Sequence, residues 1–394
     1  MYFKRGWVFF FLAAVLAVAL VAGGCGGQQQ PKQEAAKPAA PSGEKVIKVG
    51  LAVPLTGDVK TFGESIKNAF LLAIEQAGGK AGDYKIEYVI YDDRNDATEA
   101  VNVATKMITG DKVKAIIGSA TSKCSIPISK VANDNKVIQI SPTATATGLT
   151  VEDGKRKEYI FRACFIDPFQ GTVGAKFALD TLKAKTAAIL YDQGNDYTIG
   201  LGKYFKEAFE KGGGKVLANE AYAQGDTDFS AVLTKIAKLN PDVLYLPDYY
   251  QKAGLIGKQA RAKGIKATFL GGDGWDSKDL DFAAMEGGYH TNHYSPSDPR
   301  PEVKKWVEQY KAKYNETPDA LATLAYDATN LLLNAIKTAN SDDTAKIKDA
   351  LQATSGFSAV TGKITYDKDG NPVKAAAILQ VKGGKFEFVT TVAP

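Results

Sequence analysis

The chain has 394 residues, 45% of them hydrophobic and 24% charged, with a formal net charge of +5 and only three cysteines. That length suggests two or three domains, each able to bury its own core. Both signs of charge are spread along the chain with no basic stripe, which argues against a nucleic-acid partner, and three cysteines are too few for a disulfide scaffold.

The first element in chain order is a targeting signal. Lys4-Arg5 is followed by an apolar run over 7–22 and then by Gly23-Gly24-Cys25. A basic region, an apolar region and small residues in that order describe a signal peptide, here 1–24. The apolar run falls short of the roughly 20 residues that a spanning helix needs. Ala22-Gly23-Gly24-Cys25 resembles a bacterial lipobox, which makes Cys25 the lipid-attachment residue. The stretch 25–45, rich in Gln, Pro, Ala and Lys, cannot bury enough apolar surface to fold and reads as a tether. The expectation is an extracytoplasmic protein held to the bacterial membrane by its lipid alone. Cys124 and Cys164 are expected as two buried free thiols, although nothing in the sequence excludes their pairing.

From 46 onward, short β-branched runs alternate with stretches of helical periodicity. A strand over 46–53 ends in the turn-rich Pro54-Leu55-Thr56-Gly57-Asp58. A helix follows with Ile66, Ala69, Phe70, Ala73, Ile74 and Ala77 on one face, closed by Gly78-Gly79. The pattern recurs as strand 85–91, helix 98–108, strand 113–118, helix 127–133 and strand 137–140. It resumes with strand 187–191, helix 201–211, strand 243–246, helix 255–262, strand 268–270 and a long helix over 318–338. Repeated βα units imply parallel sheets covered by helices on both faces. Strands over 362–366 and 375–381, around Asp369-Gly370-Asn371-Pro372, read as a closing hairpin. The fold class expected is α/β: two doubly wound parallel-sheet lobes joined by a multi-crossover hinge. One lobe comprises 46–164 plus 292–363 and the other 165–291 plus 364–394.

In open α/β sheets the ligand crevice lies beyond the carboxyl ends of the strands. Segments there share a composition. In the first lobe they are 54–63, 119–122 and 141–145, rich in hydroxyls and small residues; in the second they are 192–197, 248–250 and 272–275, with aromatic rings and a carboxylate. This division suits a zwitterion. Ser122 opens a helix, where backbone N–H groups and the helix dipole favour a carboxylate, and Thr143 and Thr145 can present hydroxyls or amides to the same group. Asp273, flanked by glycines, can face an ammonium. Tyr197 and Tyr249 add cation–π contact, and Phe62 lines a pocket for an apolar side chain. Each has an ordinary rival: caps for Ser122 and Thr145, interface packing for Tyr249, a turn for Asp273, core for Phe62. What favours the site is their coincidence at strand ends. His290 and His293, the only two histidines, are expected at the surface, with no acidic partner close in sequence. No nucleophile-elbow, phosphate-loop or zinc motif occurs, so neither an enzyme nor a cofactor is expected.

The segments 48–57, Tyr91-Asp92-Asp93, 118–122 and Ser141-Pro142-Thr143-Ala144-Thr145 resemble the leucine/isoleucine/valine-binding protein family. So do Phe161-Arg162 with Asp167 and Gln170-Gly171, Tyr191-Asp192 with Tyr197, and Gln259-Ala260-Arg261 with Gly264. The resemblance runs in order along nearly the whole chain after 46. It implies a type I periplasmic binding protein fold and a monomeric receptor that delivers a branched-chain amino acid to the permease subunits of an ABC transporter. Amides, urea or another amino acid, or a sensing role, are the alternatives on the same fold. The family's carboxylate-binding positions fall on Ser122, Thr143 and Thr145, its aromatic positions on Phe62, Tyr197 and Tyr249, and its ammonium-binding acid on Asp273. That acid is often Glu in the family. The position of Thr143 is often Ala, contributing backbone, and the disulfide of some relatives has Asn95 and Thr121 in its place.

Overall fold

The computed structural model describes residues 44–394; the signal peptide, Cys25 and nearly all of the tether lie outside the described residues. The first sheet is built from β1 (Val46–Val53), β2 (Lys80–Ala81), β3 (Tyr84–Asp92), β4 (Ala115–Gly118) and β5 (Ile138–Ser141). After a small hairpin of β6 (Val151–Glu152) and β7 (Lys155–Arg156), it is completed by β8 (Ile160–Arg162). The order is β2-β3-β1-β4-β5-β8, parallel except for β2. Helices α1 (Lys60–Gln76), α2 (Ala97–Thr109) and α3 (Ser122–Asp134) connect its strands.

The second sheet follows α4 (Asp167–Asp180). It contains β9 (Thr186–Asp192), β10 (Lys215–Tyr222), β11 (Val243–Leu246), β12 (Thr268–Gly271) and β13 (Tyr289–Asn292), with α5 (Asp196–Lys211), α6 (Ser230–Leu239) and α7 (Tyr250–Ala262) between them. The chain then forms α8 (Pro301–Tyr314), α9 (Ala320–Ala339) and α10 (Thr344–Gln352), a β14 (Phe357–Ala359)–β15 (Gly362–Ile364) hairpin, and finally β16 (Ala376–Lys382) and β17 (Lys385–Val392). The second sheet runs β10-β9-β11-β12-β13-β16-β17, its last two strands antiparallel.

Both sheets are covered on both faces. Ile47, Val49, Leu51 and Val53 of β1 pack with Ile66, Phe70 and α9, while Ala52 and Ile116 on the other face meet Val103, Met107 and Ile128 of α2 and α3. In the second sheet Ile189 and Tyr245 face Leu201 and Phe205, and Leu190 and Leu244 share a core with Leu233 and Ile256. Each fully buried side chain of this size contributes roughly 1.5–3 kcal/mol. Helix α2 starts where Asp96 accepts from the N–H groups of Thr98 and Glu99, and α9 where Asp319 accepts from Ala322. Because α9 packs on α1, the chain passes between the two halves three times, at 163–166, after β13 and between β15 and β16.

The C-terminal pairing differs from the expected hairpin. The segment at 362–366 pairs backward with β14, and β16 pairs with β13 and β17; Tyr366 forms an isolated bridge to Pro372 of the turn, short of the second expected strand. The reason is physical. β16 is buried along almost its whole length, so it must lie inside a sheet, and Gly383-Gly384, both at positive φ, supply the tight turn into β17. Cys124 and Cys164 are both buried and unpaired.

Candidate functional site

Each sheet reverses its winding beside its first strand, β1 against β4 in one and β9 against β11 in the other, and the loops leaving these strands face a shared cavity. It is lined by Phe62, Ala120, Ser122 and Thr143 from the first half, Leu321 from α9, and Tyr197, Tyr249, Asp273 and Gly274 from the second. Its volume is about 20 Å³, room for a single water. Tyr197 and Tyr249 stack at 5.3 Å, and Phe62 meets Tyr249 edge-on at 5.7 Å. Thr61 and Ser277 hydroxyls at 2.9 Å, and Lys123 Nζ donating to Gln224 at 2.8 Å, tie the halves together.

Six of the seven residues singled out from the sequence line this cavity, and Thr145 does not. Thr145 is buried behind it, its hydroxyl without a hydrogen-bond partner and its carbonyl accepting from Asp167 N at 3.0 Å. The Thr143 hydroxyl donates to the Ala120 carbonyl at 2.6 Å, so it braces one loop against the next. Ser122 is the first residue of α3, and its oxygen accepts from Ala146 N at 3.2 Å, which leaves its O–H free to donate. Phe62 belongs to the first turn of α1, not to a loop, and serves both the cavity wall and the core. The Tyr91-Asp92-Asp93 motif positions backbone: Asp92 accepts from Leu55 N at 2.8 Å, and Asp93 takes the Ser119 hydroxyl at 2.5 Å.

Asp273 begins a short 3-10 turn after β12. Gln170 Nε2 and the Tyr197 hydroxyl donate to one of its oxygens at 2.8 and 2.9 Å, and His293 Nε2 lies 2.9 Å from the other. Burial works against its charge, but the bonds from His293, Gln170 and Tyr197 outweigh it and hold the carboxyl below the usual range. Asp273 is therefore ionised. A Cβ on Gly272 would fall 2.4 Å from the Tyr197 oxygen and 2.9 Å from Gln170 Nε2. The approach that brings both donors to Asp273 thus requires glycine there.

Both histidines are buried, against the expectation that they lie at the surface. Burial lowers the pKa of His293, so the ring is neutral and its Nε2–H donates to Asp273, while Nδ1 has no partner. The ring stacks on Phe165 at 3.7 Å. His290 is pushed down to about 4 by burial and packs between Trp275 and Phe386. The acid partner of His293 lies twenty residues earlier in sequence, where proximity along the chain gives no sign of it.

Sequence reasoning also missed Leu321 and the polar group behind Asp273. Asp167 is fully buried with neither carboxyl oxygen hydrogen-bonded. Burial pushes it up to about 8. An acid whose pKa rises on folding contributes stability that is complete below about 4, its unfolded value, and is lost progressively as pH rises to about 8. Asp167→Asn is therefore expected to gain in melting temperature over the native protein as pH goes from 5 to 8, measured by calorimetry at both pH values. A difference that does not change with pH would show that Asp167 is ionised in the fold.

Residues 46–385 match the family model described as periplasmic binding protein, and the chain belongs to that family. Its relatives are more specific. The chain is 34% identical to the leucine-, isoleucine-, valine-, threonine- and alanine-binding protein of Pseudomonas aeruginosa, over 82% of this chain and 87% of that one. It is 32% identical to the Leu/Ile/Val-binding protein BraC3 of Rhizobium johnstonii over 84% and 90%. Among solved structures it is similar to the leucine-binding protein LivK of Thermotoga maritima, with a TM-score of 0.84 and 37% identity over 88% of this chain and 99% of that one. It is likewise similar to the branched-chain amino-acid transporter substrate-binding protein LivJ of Streptococcus pneumoniae in complex with isoleucine, at 0.82 and 34% over 89% and 100%.

Proposed function

We propose that this protein is the extracytoplasmic receptor of an ABC importer, a binder and not an enzyme, and that it takes leucine, isoleucine or valine into the cavity around Asp273. The observation that carries this reading is an ionised carboxylate on one half, facing a cavity whose other half begins a helix at Ser122. An α-ammonium pairs with Asp273, an α-carboxylate with the Ser122 hydroxyl and the amides at the start of α3, and an aliphatic side chain packs among Phe62, Tyr249 and Leu321. Thr145 acts in this scheme through the backbone of its loop. A cavity of about 20 Å³ is far too small for an amino acid, so the halves must part to admit it, breaking the Thr61–Ser277 and Lys123–Gln224 bonds. Residues 46–164 with 292–363 then move as one lobe, and 165–291 with 364–394 as the other, about the three crossovers. Closure links ligand capture to docking on permease subunits. A monomer anchored through lipidated Cys25, after removal of 1–24, completes the proposal.

Thermal unfolding of protein refolded free of ligand, scanned against the common L-amino acids and a set of amides, tests this. A ligand at about 1,000 times its Kd adds roughly 4 kcal/mol, a shift of several degrees for a protein of this size. Shifts with leucine, isoleucine or valine are expected. Shifts with amides alone would contradict the pairing of an ammonium with Asp273.

A further inference from the structure

A second cavity of about 470 Å³ lies behind Asp273, between the second and third crossovers, within the size range of small-molecule sites. His293 forms part of its wall, and the bond from His293 to Asp273 separates it from the first cavity. Its cation is Lys374, only 4% exposed. The Lys374 ammonium donates to the Ala163 carbonyl at 3.0 Å and to the Thr361 hydroxyl. Among the described residues no carboxylate comes within 4.0 Å of it, since Asp327 reaches it only through Thr361, whose hydroxyl donates to Asp327 at 2.6 Å. Burial pushes this ammonium down to about 8, with the Asp327 charge opposing the fall, a measure of how incompletely the protein alone compensates it.

The other cations at the wall are Arg300 and the exposed Lys363. Arg300 is engaged by Asp298, Glu302 and the Val360 carbonyl and Lys363 faces solvent, so Lys374 is the buried cation of the cavity. The cavity also has an apolar, open rim: Val373 and Phe388 both line it and are 61% and 48% exposed. A buried ammonium and an exposed apolar rim lining one cavity suit an amphipathic anion. We propose that this cavity is a second ligand site, taking a small monocarboxylate with an apolar chain, its carboxylate on Lys374 and its chain against Val373 and Phe388. The first site belongs to the proposed function; this one stands without it.

Calorimetric titration with sodium octanoate tests the proposal, run on the protein alone and on the protein with saturating L-isoleucine. One equivalent is expected to bind in both. Lys374→Met is expected to weaken octanoate at least tenfold. Because removing a buried charge can disturb folding, Phe388→Asp, at an exposed position of β17, is the second variant; it too is expected to weaken octanoate at least tenfold while isoleucine binding stays within threefold. Displacement of octanoate by isoleucine, no binding to the native protein, no effect of Phe388→Asp, or equal binding of inorganic phosphate would each overturn the assignment. Octanoate binding to a protein that ignores isoleucine would uphold this site and sink the amino-acid reading of the other.

Discussion

Asp273→Asn is expected to weaken binding of leucine, isoleucine or valine by about 30-fold to several thousand-fold. The range follows from the 2–5 kcal/mol that truncating one partner of a buried, hydrogen-bonded charge pair costs. Asparagine fills the same volume and keeps one oxygen for Gln170 and Tyr197, which donate at 2.8 and 2.9 Å. Its amide nitrogen replaces the oxygen beside His293, and the neutral ring can accept there by moving its proton to Nδ1, which has no other partner. The fold therefore survives, and what disappears is the charge. An ammonium enclosed in a water-excluded cavity would then lack a counter-charge, the costliest arrangement available to it. Calorimetric titration of a variant whose melting temperature stays close to native separates the two effects. Native affinity in that variant would show that the ammonium lies elsewhere.

Asp327→Ala should be the most damaging of the stability variants. This residue of α9 is fully buried, and one carboxylate anchors the turn between β14 and β15: it accepts from Val360 N at 2.8 Å, from Thr361 N at 3.0 Å and from the Thr361 hydroxyl at 2.6 Å. Thr361 in turn accepts from Lys374, which holds the first crossover through the Ala163 carbonyl. Alanine would leave two buried N–H groups unpaired and Lys374 without its nearest acid. The expected loss is about 3–5 kcal/mol, or roughly 4–7 °C in melting temperature for a protein of this size. Asp327→Asn, which keeps an acceptor, should lose clearly less. Differential scanning calorimetry checks both, and equal, small shifts for the two would show that the β14–β15 turn is held by something other than this carboxylate.

The alternation of strands and helices was legible because each element keeps its own period: 46–53 as an apolar β-branched run, and α1 with an apolar residue every third or fourth position. The position of the cavity around Asp273 followed, since residues beyond the carboxyl ends of parallel strands converge wherever a doubly wound sheet reverses. Other features carried no local signal. Helix α4 fills its buried face partly with Asp167, Gln170, Gly171 and Gly174, so it shows no apolar stripe to reveal it. Leu321 is one leucine among several in α9, and only its place in the first turn brings it to the cavity. The contact of His293 with Asp273, and the isolation of Asp167, depend on where crossovers return, which periodicity does not encode. The C-terminal strands were recognisable as strands, but their partners were set by burial of β16 and by the turn at Gly383-Gly384.

The proposed function requires an amino acid between the two halves with its ammonium on Asp273. A crystal structure of the protein with L-isoleucine would decide this. The expected result is the ammonium about 3 Å from an Asp273 oxygen, the carboxylate at the start of α3 beside Ser122, and the side chain among Phe62, Tyr249 and Leu321 in a widened cavity. Isoleucine in a different cavity, or in this one with its carboxylate turned toward Asp273, would contradict the account.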